Sequence, residues 1–350
     1  MKILKIAVSA ILVFLTAVLP FKLYGALNSD IITDEMYRRR EAYFHGVINV
    51  WQIDCFEGGT GSRASWLKSI CGGFEKKNNG IYINIESVSL ETANKMLESG
   101  QKVPDMISFG NGVKIDEQQL EQLDFRGYLK KIENACFGCA LPWCMGAYFM
   151  LGEGESESWG SDGYEKTGKK SKTVYSVGIA KKEGYNSAKV LTLLKKGDFS
   201  KTLSIKIGSA QEIFESYNYS QTVNRMLGTQ RDIYRLISAQ SREKARSLNA
   251  QYLGIYTDLF QYISILKCNN EKKLKAMQAF TEYLLSVEVQ NRLGEIGLFP
   301  VNFEAEPEYG NEYMSDAWQK MKIEDFVAEG IFSQEGDFDS DIAALENNQQ

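Results

Sequence analysis

The chain has 350 residues and a formal net charge of −5, with 44% hydrophobic and 12% aromatic residues. That length accommodates two domains of ordinary size, and the composition is that of a folded chain, which excludes intrinsic disorder. The mild acidity excludes a dedicated nucleic-acid binder, which needs a basic face to neutralise phosphates.

Lys2 and Lys5 precede an uncharged, mostly apolar run from Ile6 to Leu19, followed by Pro20 and Lys22. Such a run suits a signal-peptide core and falls short of the ~20 residues that cross a bilayer comfortably. Leu23-Tyr24-Gly25-Ala26 is a poor cleavage signal, with small residues only at its end, and no Cys follows that would take a lipid. Residues 1–26 therefore read as a signal peptide or an N-terminal membrane anchor, with a buried core helix as the bland alternative. The body is expected outside the cytoplasm, secreted or held by that hydrophobic anchor.

Export gives the six cysteines weight. Cys136, Cys139 and Cys144 cluster, whereas Cys55, Cys71 and Cys268 are scattered. An even count permits disulfides, but pairing is not readable from sequence. Cys136-Phe-Gly-Cys139 has redox or zinc spacing, yet the single histidine, His45, is distant, and the motif runs into Leu141-Pro142-Trp143 instead of opening a helix. Buried thiols or a structural disulfide are expected, and no metal or cofactor.

In chain order, a charged, helix-like segment lies around Asp34–Ala42. Val47–Trp51 reads as a buried strand, followed by a glycine-rich loop, Glu57–Arg63. A helix with Trp66, Leu67, Ile70 and Phe74 on one face ends at Asn79-Gly80. Ile81–Ile85 is a second strand. Ser89 caps a helix carrying Leu90, Ala93 and Leu97 that stops at Gly100. Pro104–Phe109 holds a third strand, so right-handed crossovers and a parallel sheet are expected. From Gly152 to about Lys172 apolar residues are sparse, which suits an exposed loop or long hairpin, and Lys166–Lys172 suits a solvated face. Helical patterns return at Ser187–Lys195 and Ala210–Tyr217. A helix or helix pair follows over Glu271–Ile296, stopped by Gly297. Residues 333–350 read as a flexible acidic tail. Within it Asp337-Phe-Asp339-Ser-Asp341 mimics the start of a calcium loop but lacks the turn glycine and closing Glu.

One histidine argues against a Ser-His-Asp or Cys-His site, and no H-E-x-x-H, G-x-S-x-G or Walker loop is present. A carboxylate-pair glycosidase needs only two acids at the right separation and stays open. The Gly58–Arg63 loop follows a strand and opens a helix, so its backbone N–H groups and Arg63 suit an anionic or polar group; a tight strand-to-helix turn without ligand is equally consistent.

Three stretches carry a family resemblance. Asn49-Val50-Trp51 through Trp66-Leu67, Phe74-Glu75-Lys76-Lys77, Gly80-Ile81 and Pro104-Asp105-Met106-Ile107 resemble the opening of family 1 extracellular solute-binding proteins, the sugar-binding relatives of maltose-binding protein. Leu141-Pro142-Trp143 with Gly146 and Tyr148 looks like that family's exit from the first lobe through a hinge. Tyr256-Thr257-Asp258, Phe280–Ser286, Glu288-Val289-Gln290 and Gly297–Val301 are similar to its return segment and late helix. The resemblance spans Val47 to Asn302. Two departures stand out: the stretch from Gly152 to Ala250 is shorter than the family usually carries, and the lipid-anchor cysteine is missing.

The resemblance implies an α/β, two-lobed periplasmic-binding-protein-like fold of type II, with the ligand cleft between lobes joined by a hinge. Lobe 1 would comprise 45–145 plus 255–303, and lobe 2 146–254 plus 304–332, the second reduced in size. It implies a non-enzymatic, monomeric solute-binding component of an ABC importer that captures a carbohydrate by closing and delivers it to the permease membrane subunits. The alternatives are an exported carboxylate-dependent glycosidase and a binding protein feeding a membrane sensor. Sugars call for aromatic platforms and planar polar groups. The candidates are Trp51, Asp54 and Arg63 of the first loop, and Trp143 and Tyr148 near the hinge. Gln230, Arg231 and Asp232 come from a cleft-lining turn, and Tyr256 and Asp258 from the return crossing. Trp159 and Trp318 rank lower. Core packing for the two leading tryptophans and a surface ion pair for Arg231–Asp232 are the bland readings.

Overall fold

A computed structural model of the chain describes residues 43–56, 58–100, 103–123, 129–152, 175–195, 203–239, 248–331 and 337–347. The N-terminal apolar run, the Asp34–Ala42 segment, the polar stretch after Gly152 and Trp159 lie outside the described residues. No helix among the described residues is long and apolar enough to cross a membrane.

Strand β1 (Gly46–Gln52) pairs in parallel with β2 (Ile81–Ser87) and β3 (Met106–Phe109). Helix α1 (Arg63–Lys77) and helix α2 (Leu90–Ser99) make the crossovers. Ser62 caps α1 by accepting from the Ser65 N–H, and Trp66, Leu67, Ile70 and Phe74 form its buried face. Ser89 caps α2 and Gly100 ends it in the left-handed conformation that glycine adopts without steric cost. Strand β4 (Leu141–Met145) joins the same sheet through β11 (Phe260–Ile265), which runs antiparallel to both β3 and β4, giving the order β2-β1-β3-β11-β4.

The chain leaves this sheet at β4 and enters a second one at β5 (Tyr148–Gly152). There β6 (Tyr175–Ala180), α3 (Ser187–Lys195), β7 (Leu203–Gly208), α4 (Ala210–Asn218), β8 (Arg225–Thr229), α5 (Gln230–Ala239) and β9 (Ala250–Tyr252) build the order β7-β6-β8-β5-β9. This sheet has five strands, as the first does. Strand β10 (Tyr256–Thr257) carries the chain back. The late helical stretch is α6 (Glu271–Leu285), α7 (Val287–Gln290) and a 3-10 turn (Asn291–Ile296), ended by Gly297 at φ 62°.

Several chain segments cross between the two sheets side by side. Gly146 donates to the Leu259 carbonyl at 2.6 Å, and the Thr257 hydroxyl donates to the Gly146 carbonyl at 2.8 Å. A Cβ at Gly146 would lie 2.9 Å from the Leu259 side chain, so only glycine lets these segments approach so closely. Met145 and Phe299 exchange both backbone hydrogen bonds. Helix α8 (Glu312–Ile323) then leads to β12 (Val327–Ala328), which pairs in parallel with β10.

The end of the chain departs from expectation. Residues 338–347, expected within a flexible tail, form α9 (Phe338–Asn347) packed on α3. Phe338, Ile342 and Leu345 recur at helical spacing and are buried, so their apolar stripe outweighs the acidic composition. The calcium-loop mimic is spent in the same helix: Asp337 accepts from the Ser340 N–H, and Asp339 pairs with Lys181. All six cysteines are free thiols, and burial pushes those of Cys71, Cys136 and Cys144 up to about 12. Among the described residues no cluster of His, Cys, Asp and Glu is arranged to hold a metal.

Candidate ligand-binding site

A cavity of about 730 Å³ lies between the two sheets. The first sheet contributes Asp54, Phe56 and the Gly58–Arg63 loop; the second contributes Lys182, Phe214, Tyr219 and α5 residues from Arg231 to Ala239. Open α/β sheets place ligands beyond the carboxyl ends of their strands, and this loop follows the carboxyl end of β1.

The loop is rigidly built. Thr60 N–H donates to the Ile296 carbonyl at 2.7 Å, and a Cβ at Gly59, whose φ is 72°, would sit 2.1 Å from that same oxygen. Glycine is needed there twice over, for the positive φ and for the close approach. Arg63 opens α1 with only 6% of its surface exposed. Its Nη1 reaches Asp54 at 3.2 Å and its Nη2 the Phe56 carbonyl at 3.0 Å, while the guanidinium lies over the Phe56 ring, 4.3 Å from its centre. On the facing wall Arg235 lies over the Phe214 ring at 3.5 Å, donates to Gln211 at 2.7 Å and approaches Asp232 at 3.6 Å. Each wall thus carries an arginine whose guanidinium lies over an aromatic ring.

A second, much smaller cavity of about 60 Å³ shares Phe56 and Lys182 with the first and is lined by Tyr148, Tyr185 and Asp232. Behind it lies a buried polar network at the crossing segments. The Asp258 carboxylate accepts from the Tyr148 hydroxyl at 2.8 Å and the Asn186 N–H at 2.6 Å. Desolvation raises the Asp258 pKa to about 6, against the lowering effect of those two hydrogen bonds. Beside it Tyr256 donates to Glu329 at 3.0 Å, and Glu329 also pairs with Lys189. Burial, with Asp258 nearby, pushes the Tyr148 phenol far above its ordinary range.

The ten candidate residues therefore separate into groups. Asp54, Arg63 and Arg231 line the large cavity. Tyr148 and Asp232 line the small one. Gln230, Tyr256 and Asp258 sit buried among the crossing segments, where Gln230 Oε1 accepts from the Ala147 N–H at 3.0 Å. Trp51 and Trp143 are packed in the first sheet's core, Trp143 stacked on Trp66 at 5.5 Å with its indole N–H on the Ser108 hydroxyl. Trp318 is likewise buried, stacked against Phe303. Phe56, Lys182, Phe214, Tyr219, Tyr234 and Arg235 line the cavity without having been singled out from the sequence. Arg235 was within reach, since it lies one helical turn beyond Arg231 on α5. Phe214 and Tyr219 belong to another part of the second lobe and carry no local signal.

No family model matches the chain, and no curated protein matches its sequence. Solved structures do match in shape. The chain is similar to the GacH receptor of Streptomyces glaucescens, seen unliganded and with acarbose, at 15% identity over 87% of this chain and 93% of that one, with a TM-score of 0.55. It is similar to Mannheimia haemolytica ferric iron-binding protein A in an open conformation at 12% identity over 87% and 98%, with a TM-score of 0.55. It is also similar to the spermidine/putrescine ABC transporter substrate-binding protein PotD of Streptococcus pneumoniae at 14% identity over 87% and 99%, with a TM-score of 0.51. The class defined at the level of fold is the two-lobed, periplasmic-binding-protein-like one. Those three proteins are, respectively, seen with acarbose, named for ferric iron and named for spermidine and putrescine, so what is bound varies among proteins of that fold.

Proposed function

We propose that this chain is the extracytoplasmic solute-binding component of an ABC importer, which captures a carbohydrate between its lobes and hands it to the permease subunits. The observation that carries this reading is the cavity of about 730 Å³ walled by both sheets, beside chain crossings that can act as a hinge. Closing such a cleft buries ligand on both sides at once, and only the liganded, closed form is then presented to a membrane partner. Phe56, Phe214, Tyr219 and Tyr234 offer aromatic surface for the C–H faces of a sugar, and Asp54 and Ser238 offer polar groups for hydroxyls. Binding without turnover is favoured by the acid inventory. Asp54 is the one carboxylate among the described residues lining this cavity, and it already accepts from Arg63 and from Gln52. A glycosidase needs two carboxyl groups flanking the bond to be broken. Export is supported by Lys2 and Lys5 ahead of the Ile6–Leu19 run.

The test is a thermal-shift screen against mono- and oligosaccharides, with product analysis and small-angle scattering on any hit. Ligand at 100 times its dissociation constant adds about 2.7 kcal/mol of stability. A shift accompanied by a smaller radius of gyration and unchanged ligand is the expected result. Released monosaccharide would replace the binding reading with a glycosidase, and no shift with any saccharide would remove the carbohydrate.

A further inference from the structure

Tyr219 lines two cavities at once. On one side it belongs to the cleft of about 730 Å³ between the sheets. On the other it walls a groove of about 470 Å³ that lies on the second lobe alone, between the end of β7 and α4. The two volumes together exceed the ~300–1,000 Å³ that one compact small ligand occupies. Because they meet at one side chain, the groove continues the cleft outward along the second lobe.

Apolar surface follows the same path. Tyr219 has the most open ring of the cleft's aromatic residues, at 52% exposed, whereas Phe56 and Phe214 are each 2% exposed beneath a guanidinium. Its ring stands at 75° to that of Phe214, with the centroids 6.4 Å apart. Beyond it, Ile207 leaves 42% of its surface open in the groove. Single exposed apolar residues are ordinary, but a concavity that holds two of them can cover a sugar's C–H face from more than one side. The polar groups there suit hydroxyls. Lys206 donates to the Ser216 hydroxyl at 2.8 Å and to Thr222 at 3.2 Å, and Glu212 is held in the capping box with Ser209. Glu215 accepts from Gln211 at 2.6 Å through one oxygen, and a carboxylate has about four acceptor sites, so capacity for a hydroxyl remains. Two carboxylates against one ammonium, among the described lining residues, disfavour an anion in the groove.

We infer that the cargo is an oligosaccharide, held at one end in the cleft, whose uncharged trailing units pass Tyr219 and lie in the groove against Ile207 and Glu215. The inference rests on the proposed function and narrows it. All of the groove's lining residues belong to the second lobe, so its contacts form without closure. Trailing units therefore add affinity, while the compaction on binding is set by the units in the cleft.

Calorimetry on the purified chain tests this with malto-, cello- and xylo-oligosaccharides, each series running from monosaccharide to hexasaccharide. In the series that binds, affinity should rise at least about tenfold from the shortest binder to the longer members, then level off once the groove is filled. The double variant Ile207→Thr, Glu215→Ala alters two exposed side chains that line the groove and not the cleft. It should keep the native melting temperature and the affinity for the shortest binder, and lose most of the gain with length. Hydrogen exchange on the unaltered protein gives a second readout: residues 204–220 should be slowed by a long oligomer and not by the shortest binder. That pattern decides alone if the double variant melts early. Affinity independent of length, or a gain that persists in a natively melting double variant, overturns the inference and leaves a sugar-binding protein standing. So does equal protection of residues 204–220 by short and long members. Binding of no saccharide removes the carbohydrate reading and the inference together.

Discussion

Asp258 is the residue whose environment is most at odds with its chemistry. It is 1% exposed, and it holds two donors from different parts of the chain, Tyr148 on β5 and Asn186 at the start of α3. Burial raises its pKa from 3.8 to about 6, so the folded protein binds this proton more tightly than the unfolded chain does. The sign follows from linkage. The stabilisation from protonation is fully present below pH about 4 and is lost as pH rises through about 6. Its size is on the order of 3 kcal/mol across that window, from about 1.4 kcal/mol for each pH unit. Asp258→Asn carries no titrating group, so melting temperatures measured from pH 4 to 7 should show the wild type gaining on the variant as acid is added. Parallel profiles for the two proteins would show that Asp258 titrates normally.

At the scale of elements, the C-terminal helix and the glycine-rich loop show how local composition can mislead or inform. The region from residue 333 on is acidic and ends in Asn and Gln, yet Phe338, Ile342 and Leu345 lie on one helical face and cover α3. Helix α9 also reaches toward the crossing segments, because Asn186 donates through its side chain to Asp341 at 2.7 Å and through its backbone to Asp258. Removing residues 332–350 should therefore expose the apolar face of α3, lower the melting temperature by several degrees and increase dye binding to hydrophobic surface. An unchanged melting temperature would mean that the helix adds nothing to the lobe. In the loop after β1, by contrast, the sequence pattern was informative. Gly59 and Gly61 both have φ of 72°, and Ser62 caps α1 as a residue of its type does before a helix.

For the molecule as a whole, the two lobes are joined by the crossing chain segments with their packing and backbone pairing, and not by disulfides. The six thiols are unpaired, and burial raises Cys55 to about 11 and Cys71, Cys136 and Cys144 to about 12, which makes them poor nucleophiles at neutral pH. Adding a thiol reductant should leave the melting temperature unchanged, and thiol titration after unfolding should count six groups. A drop of several degrees with reductant would reveal a disulfide that holds the fold.

Sequence by itself determined the elements whose signal is local. The strand at Ile81–Ile85, the cap at Ser89, the glycine stops at Gly100 and Gly297, and the apolar face of α1 are each set by neighbours a few residues apart. Asp54 and Arg63, singled out on the loop between a strand and a helix, and Arg231, singled out through the family resemblance, do line the cavity. Tertiary structure alone decided the rest. Trp51 and Trp143 have the side chains of sugar platforms, but strand pairing turns them into the core, and no local pattern tells a buried indole from a cleft one. The opposite holds for Phe214, Tyr219 and Lys182, which become cavity walls only because β6, α4 and α5 meet across from the first lobe. Contacts between distant segments depend on how the two sheets face each other, and that geometry is a property of the packed chain, not of any window within it.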